Sequence, residues 1–343
     1  MRDNLKTVLV TGAAGFIGLH TVKEFASRGW FVYALVHRSR SAELSELENA
    51  GKVKILSADI TCFESMKSVV VQCGKSPDAI VHCAGRASDI GWASQFRRTN
   101  FESVKHLVEL VKEQKVGRFV FVSSTDVYGM KDFCGQTEDE LDYDETGRNN
   151  YPKYKILAEK WIKGNLPAER YSIVRPAAVW GDDDPTLTKR IRDFHAWSPF
   201  IVHFGKWKGR NRWPMVHVSE VARANFLAAV LPQAAGEAFN VLEKQKVSID
   251  DFYRMIAEKY FPGKKFKTVV LPFWIGFVIG GFVSFVSNML NLKGPIFDPS
   301  LYALQSVSSN LDFNCEKFQN LDNTNGIYFS RADRRISNCQ QKD

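Results

Sequence analysis

Thr7-Val8-Leu9-Val10-Thr11-Gly12-Ala13-Ala14-Gly15-Phe16-Ile17-Gly18 is the stretch that decides the fold of this chain. Its first part is an apolar, β-branched run that predicts a buried strand, and an amphipathic run from Phe16 to Arg28 predicts a helix. Gly12 permits a tight turn, Gly15 lets backbone N–H groups approach a pyrophosphate, and Gly18 lets the helix pack close to the strand. Since helix N-termini attract anions, the turn indicates a bound dinucleotide. The alternative is a turn that only packs strand on helix.

The composition sets broad limits on the class of protein. The chain has 343 residues, enough for a large core in one domain or in two closely joined ones. A net charge of +8 comes partly from a basic cluster between Lys189 and Arg212. This cluster could meet an acidic ligand, a phosphate-bearing cofactor or an anionic membrane surface, or it could be a solvated loop. No nucleic-acid-binding motif accompanies the cluster, so nucleic acid is not an expected partner.

Cysteine and histidine usage argues against disulfide bonds and against a metal site. The six cysteines show no paired or metal-ligand spacing, and the seven histidines form no cluster. We therefore expect free thiols, a reducing compartment and no metal site. The short lead of Met1-Arg2-Asp3-Asn4 into the first strand leaves no room for a signal peptide, so a cytoplasmic location is predicted, with membrane association left open.

Apolar strand-like runs alternate with helical runs through the first half of the chain. This rhythm predicts an α/β fold with a doubly wound parallel sheet of about seven strands. The predicted strands are Thr7–Thr11, Phe31–Val36, Val53–Ser57, Ala79–His82, Phe119–Ser123, Tyr171–Arg175 and Ala238–Leu242.

The rhythm stops in two later regions, which look irregular or helical. We expect residues 1–180 and 214–243 to form the nucleotide-binding domain. Residues 181–213 and 244–329 then form a smaller, mostly helical substrate domain over the carboxyl ends of the strands, where ligands of such sheets bind. The polar and charged residues 330–343 are predicted to be a disordered tail.

Two motifs add hydride-transfer chemistry to this scaffold. Tyr151 and Lys155 are four residues apart and therefore share one face of a helix, where an ammonium favours the phenolate form of a tyrosine. Ser124 lies in Phe121-Val122-Ser123-Ser124-Thr125-Asp126-Val127-Tyr128-Gly129, at the end of the fifth strand. A hydroxyl at that edge can hold a substrate carbonyl beside Tyr151. The alternatives are a surface helix and a helix-capping turn.

These motifs, with Arg175-Pro176-Ala177-Ala178-Val179-Trp180-Gly181, resemble the extended short-chain dehydrogenase/reductase superfamily in order and spacing. The resemblance implies a Rossmann sheet and a catalytic set of Ser124, Tyr151 and Lys155. It also implies a set of cofactor-binding positions, some of them shared with catalysis: Gly12, Gly15, Phe16, Ile17, Gly18, Asp59, Ile60, Ala84, Gly85, Asn100, Tyr151, Lys155, Pro176 and Val179. Asp59 resembles the acid that contacts the adenine, and Asn100 resembles a structural asparagine.

The end of the second strand bears on the choice of nicotinamide cofactor. An acid there would bind the ribose hydroxyls of NAD and repel a 2′-phosphate, but the sequence has His37, Arg38 and Arg40 and no carboxylate. Because arginine binds phosphate through a planar fork of donors, we expect His37 and Arg38 to favour NADP(H), with NAD(H) also possible.

The segment 271–292 bears on the substrate. It contains no charged residue and is long enough to span a bilayer, yet serine and asparagine recur along one side of its second half. Three alternatives stay open: a lid or cavity wall, a peripheral membrane contact favoured by nearby lysines, and a true span. This segment and Pro295–Leu304 resemble the 3β-hydroxysteroid dehydrogenase and sterol-carboxylate dehydrogenase branch.

The sequence therefore predicts an NAD(P)-dependent oxidoreductase that interconverts a secondary alcohol and a ketone on a bulky, steroid- or lipid-like substrate. One alternative is a nucleotide-sugar epimerase or dehydratase that retains NAD and clamps a diphosphate with the basic cluster. A third is a non-catalytic NADP-binding regulator. A hydrophobic small molecule is the expected ligand, and a homodimer is an open possibility.

Overall fold

The computed structural model describes residues 5–147, 149–292, 294–295 and 298–323. Within these ranges the strands are, in chain order, β1 (Thr7–Thr11), β2 (Phe31–Val36), β3 (Val53–Ser57), β4 (Ala79–His82), β5 (Arg118–Val122), β6 (Phe133–Gln136), β7 (Tyr171–Pro176), β8 (Ala178–Trp180), β9 (Phe200–Phe204), β10 (Met215–His217), β11 (Ala238–Val241), β12 (Lys267–Leu271) and β13 (Leu311–Phe313).

The helices of the described residues are α1 (Phe16–Ser27), α2 (Ala42–Asn49), α3 (Phe63–Cys73), α4 (Ala93–Phe96), α5 (Ser103–Glu113), α6 (Asn150–Asn165), α7 (Leu187–Trp197), α8 (Val218–Val230), α9 (Ile249–Tyr260), α10 (Phe273–Met289), α11 (Leu301–Ser308) and α12 (Glu316–Asn323). A π-helical segment, Arg97–Glu102, joins α4 to α5, and short 3-10 turns lie at Thr125–Tyr128, Ala168–Arg170 and Pro232–Ala234.

The central sheet has seven parallel strands in the order β11-β7-β5-β4-β1-β2-β3. The predicted fold class is confirmed, and the predicted strand bounds agree with the structure to within one residue at either end. β1 lies between β2 and β4, so the winding direction reverses at this point. In an open α/β sheet the ligand crevice forms at such a reversal, at the carboxyl ends of the strands.

Helices cover both faces of this sheet. On one face α1, α2, α8 and α12 pack on the strands around fully buried residues such as Phe25 and Leu227. On the other face α3, α5 and α6 do the same around Met66 and Leu107. Burial from both sides explains why the strands are nearly continuous apolar runs.

Strands also form where irregular or helical structure was predicted, so that prediction was wrong for two segments. β9 lies within residues 181–213 and pairs in parallel with β12, which lies within 244–329. β8 pairs with β10, and β6 pairs with β13. Each partner is distant in the sequence, so no local pattern reveals the pairing. The proposed domain boundaries stay a prediction, and the predicted tail, 330–343, lies outside the described residues.

The segment 271–292 begins with the last residue of β12 and continues as α10. None of the helices in the described ranges combines the length and the hydropathy that a membrane span requires. The alternative of a true span therefore fails for α10, while a cavity wall and a peripheral contact remain.

Candidate active site

The glycine turn between β1 and α1 has the close contacts that its sequence predicts. Gly12 has φ +68°, and a Cβ on it would lie 2.8 Å from the backbone of Ala84. A Cβ on Gly18 would lie 2.0 Å from the carbonyl oxygen of Gly12. The Gly15 N–H donates to that same oxygen at 2.9 Å, which closes the turn. Side chains at these positions would thus collide with backbone, and the turn is open for a ligand to approach the N-terminus of α1.

A second loop at the carboxyl edge of the sheet follows β4. The side chain of Asn100, on the π-helical segment, is buried and holds this loop: its Oδ1 accepts from Arg86 N–H at 2.7 Å and its Nδ2 donates to Arg86 carbonyl at 3.0 Å. A Cβ on Gly85 would lie 3.2 Å from Asn100 Oδ1 and 3.8 Å from Lys155 Nζ. The loop that contains Ala84 and Gly85 therefore meets the predicted catalytic lysine.

Ser124, Tyr151 and Lys155 come together at the carboxyl end of β5. Ser124 caps the 3-10 turn, its Oγ accepting from the Asp126 N–H at 3.2 Å, and it also hydrogen bonds with Tyr151. Asn149 caps α6, which places Tyr151 in its first turn. Lys155, 5% exposed, donates from Nζ to the Val122 carbonyl at 2.6 Å. The three side chains that the sequence singled out are thus neighbours in space.

Burial dominates the ionisation of two of these side chains. It raises the pKa of Tyr151, with a further increase from the Asp126 carboxylate and a smaller decrease from the hydrogen bond with Ser124. Burial lowers the pKa of Lys155 to about 8. The expectation that the ammonium lowers the pKa of Tyr151 is corrected for this structure. The Lys155 Nζ lies 5.9 Å from the centre of the Tyr151 ring and donates to a backbone carbonyl instead.

A buried ion pair supports α6 beneath these residues. Arg175, at the end of β7, binds Glu159 through Nη2 and Oε2 at 2.6 Å, and Glu159 is fully buried. Burial alone would raise the pKa of Glu159, but the Arg175 guanidinium holds it below its usual value. The hydroxyls of Ser123 and Tyr143 donate to the same carboxylate at 2.5 and 2.7 Å. These contacts fix the helix that carries Tyr151 and Lys155 against the sheet.

The structure adds five polar residues whose contacts the sequence analysis did not predict. Tyr302 on α11 donates its hydroxyl to Asp126, whose pKa burial raises. Arg190 on α7 binds Asp89 at 2.8 Å and also Asp298. Asp126 lies two residues after Ser124 in the motif already quoted. The contacts of Tyr302 and Arg190 join residues far apart in the sequence, so no local pattern predicted them, although Arg190 belongs to the basic cluster.

The end of the crevice beside β2 and β3 contains the residues predicted to set cofactor preference. His37 and Arg38 are exposed directly after β2, with no carboxylate beside them in sequence. Asp59, after β3, accepts from both the N–H and the hydroxyl of Thr61, at 2.9 and 2.8 Å, and these hydrogen bonds lower its pKa. Ile60 packs against the core of the sheet. This carboxylate is therefore oriented by its own loop.

The opposite end of the crevice is formed by the segment after β7. Pro176 is buried at the end of that strand, and Val179 lies in β8. A Cβ on Gly181 would lie 2.9 Å from Cζ of Phe16, so the Phe16 ring at the start of α1 rests against this segment. The glycine turn and the 175–181 motif thus form one continuous wall.

These residues fit a dinucleotide. The glycines of the turn leave a cradle that any Cβ would fill, and the first turn of α1, with Phe16, Ile17 and Gly18, presents N–H groups without intrahelical partners. Lys155 and Tyr151 lie at the end of the crevice where the reacting ring of such a cofactor would sit. No group of three or more metal-ligating side chains occurs within the described part of the chain.

A family model for the NAD dependent epimerase/dehydratase family matches residues 8–241. The chain belongs to this family. The predicted superfamily is thereby confirmed, as is a nicotinamide-dependent enzyme at the level of the family.

Two relatives from this family illustrate its range. A dTDP-4-dehydro-6-deoxy-D-allose reductase of Streptomyces bikiniensis is 27% identical over 266 residues, 73% of this chain and 80% of the relative. A decarboxylating sterol-4-alpha-carboxylate 3-dehydrogenase of Mus musculus is 25% identical over 330 residues, 92% of this chain and 85% of the relative. The second represents the branch that the apolar segment resembles.

A solved structure gives the same fold. The UDP-glucose 4-epimerase of Thermotoga maritima superposes with a TM-score of 0.65 at 20% identity, covering 88% of this chain and 97% of the epimerase. This likeness confirms the Rossmann architecture of the family member described here.

Proposed function

We propose that this protein is an NADP(H)-dependent oxidoreductase that interconverts a secondary alcohol and a ketone on a bulky, steroid- or lipid-like substrate. The observation that carries the proposal is the meeting of Ser124, Tyr151 and Lys155 at the carboxyl end of β5, beside the cradle for a dinucleotide. When bound, the nicotinamide supplies or accepts the hydride.

Tyr151, Ser124 and Lys155 would transfer the proton, orient the substrate oxygen and supply positive charge, respectively. In reduction Tyr151 donates its phenolic proton to the substrate oxygen, and its raised pKa keeps that proton in place at neutral pH. Ser124 donates a hydrogen bond to the same oxygen and orients it. Lys155 supplies a positive charge to the ribose side of the crevice. In oxidation Tyr151 must first lose its proton to solvent, and the phenolate then takes the proton from the alcohol.

Tyr151→Phe tests this division because it removes only the acid–base hydroxyl. We expect kcat to fall by about 10²- to 10⁴-fold, the usual share of general acid–base catalysis, while NADPH still binds. Tyr154→Phe, in the same helix, is the matched control and should retain activity. The measurement is NADPH absorbance with a panel of bulky ketones. Substantial turnover by Tyr151→Phe would refute the mechanism, and the absence of turnover by the native protein across the panel would favour a non-catalytic NADP-binding regulator.

The preference for NADP(H) rests on His37 and Arg38. An exposed guanidinium after β2 suits a 2′-phosphate, and no carboxylate follows β2 in the sequence at this point to repel one. We expect a lower KM for NADPH than for NADH. Arg38→Ala should raise the KM for NADPH about tenfold, the loss of one charge-assisted hydrogen bond, and leave that for NADH unchanged. A lower KM for NADH in the native protein would overturn the assignment.

The runner-up is a nucleotide-sugar enzyme, since one relative reduces a dTDP-sugar. Its diphosphate would need free cations, yet several members of the basic cluster bind elsewhere. Arg190 contacts Asp89 and Asp298, Lys189 contacts Asp193, and Lys206 contacts Asp132. Turnover of a UDP- or dTDP-sugar by protein that retains its cofactor through purification would favour this alternative.

A further inference from the structure

The outward face of α10 is apolar. It consists of seven exposed side chains: Phe273, Trp274, Phe277, Val278, Phe282, Phe285 and Met289. Trp274 and Phe285 are each 67% exposed, and Val278 and Phe282 are each 62% exposed. A contiguous apolar face of this kind is uncommon on a monomeric protein in water and marks a contact surface.

The inward face of α10 fixes this orientation. A Cβ on Gly276 would lie 2.6 Å from Leu304, and one on Gly280 would lie 3.1 Å from Leu301 N, so the helix packs closely on α11 through its glycines. Ser284 Oγ accepts from Leu301 N–H at 2.9 Å, and Asn288 Oδ1 accepts from Gly91 N–H at 2.8 Å. The polar side of the helix is thus held against the protein, and the apolar side cannot turn inward.

Positive charge surrounds the N-terminal end of this face. No Asp, Glu, Lys or Arg occurs between residues 268 and 292, whereas Lys264, Lys265 and Lys267 precede them. A Cβ on Gly205 would lie 3.6 Å from Phe273, and the loop with Lys208 and Arg210 follows it directly, whereas Lys206 of this loop pairs with Asp132. An apolar helix face with a cationic border matches an anionic lipid surface, in which apolar side chains enter the acyl boundary and lysines meet the headgroups.

We propose that the outward face of α10 docks the protein on an anionic membrane surface, with the helix lying in the plane of the interface. α11 packs on the inner side of α10 and carries Tyr302, which contacts Asp126 two residues from Ser124. The two helices therefore lie between the lipid and the site. The docking itself does not depend on the proposed function.

Vesicle flotation tests the docking with the full chain and two matched variants. Val278→Asp places a carboxylate on the outward face, and Val71→Asp places the same change on α3, where Val71 is 79% exposed. With vesicles of phosphatidylcholine and phosphatidylserine we expect the native protein and Val71→Asp to float. Val278→Asp and Phe282→Gln/Phe285→Gln should lose at least about tenfold in the bound fraction. Vesicles of phosphatidylcholine alone, or high salt, should weaken binding of the native protein.

Two outcomes would overturn the docking. One is a native protein that stays with the soluble fraction; the other is an equal loss in Val278→Asp and Val71→Asp. A native dimer that Val278→Asp converts to a monomer, without flotation, would assign the face to self-association instead. Turnover of a small water-soluble ketone should be the same in all variants, so failure of the proposed activity and failure of the docking are read separately.

Discussion

Lys155 combines a positive charge with nearly complete burial, and its ionisation should control the active pH range. Its pKa is lowered by burial from 10.5 to about 8, so the ammonium is lost as pH rises through 8. We expect kcat/KM for NADPH, which reports ionisations of the free enzyme, to fall above pH 8 by about tenfold per pH unit. Lys155→Met should be poorly active at every pH.

Unfolding does not account for that loss. Between pH 8 and 10.5 the unfolded chain binds more of the Lys155 proton than the folded protein does, so this group's contribution to stability rises with pH. The thermal midpoint should therefore show no decrease from this lysine in the window where kcat/KM declines. An alkaline limb above pH 10, or one retained in Lys155→Met, would contradict the assignment.

The sequence predicted that Tyr151 and Lys155 lie together, but it did not predict the residues around them. Tyr151 and Lys155 are one helical turn apart, so local spacing is enough to place them together. Tyr302 and Asp126 are separated by 176 positions, and their contact depends on how α11 packs over the sheet. The direction of the Tyr151 pKa shift was also not readable, because it depends on burial that only the folded protein defines.

The turn from β1 to α1 leaves no space for a side chain at Gly18. Gly18→Ala forces a Cβ to within 2.0 Å of the Gly12 carbonyl oxygen, and backbone cannot move aside as a flexible side chain can. We expect a loss of at least about 2 kcal/mol in the free energy of unfolding, typical of overpacking, together with weaker NADPH binding. Urea unfolding and fluorescence titration measure the two effects.

Gly164→Ala is the control for a helical glycine. It lies in α6 with no atom within 4 Å of an added Cβ, so the change should raise stability by about 0.5–1 kcal/mol through the unfolded state. Equal effects of the two substitutions would show that Gly18 has no special packing role.

Elements of the sheet were predictable because each is a continuous apolar run bounded by turn residues. β9 and β12 were not. They are short, partly exposed strands, and each one's partner lies in a different segment of the chain. The polarity of α10 was visible in its serine and asparagine stripe, but which side faces the protein was decided by the glycines that contact α11.

Across the whole molecule, Arg190 connects three segments of the chain. It lies on α7 and binds Asp89, from the loop after β4, and Asp298, from the segment before α11. Arg190→Gln leaves these two partly buried carboxylates facing each other. Because the Arg190 side chain is 28% exposed, we expect a loss of about 1–3 kcal/mol in the free energy of unfolding, below the value for a fully buried pair.

The same substitution should affect binding of the proposed ketone substrate but not binding of NADPH. Since Arg190 holds the segments over the site and does not contact the glycine turn, the KM for the ketone should rise about tenfold, equivalent to about 1.4 kcal/mol, while the affinity for NADPH stays unchanged. Lys189→Gln is the matched control, because its partner Asp193 is half exposed and such pairs contribute less than about 1 kcal/mol. Steady-state kinetics and urea unfolding of both variants make the comparison. If Arg190→Gln and Lys189→Gln had the same KM for the ketone and the same free energy of unfolding, the contacts of Arg190 with Asp89 and Asp298 would not be needed to hold these segments in place.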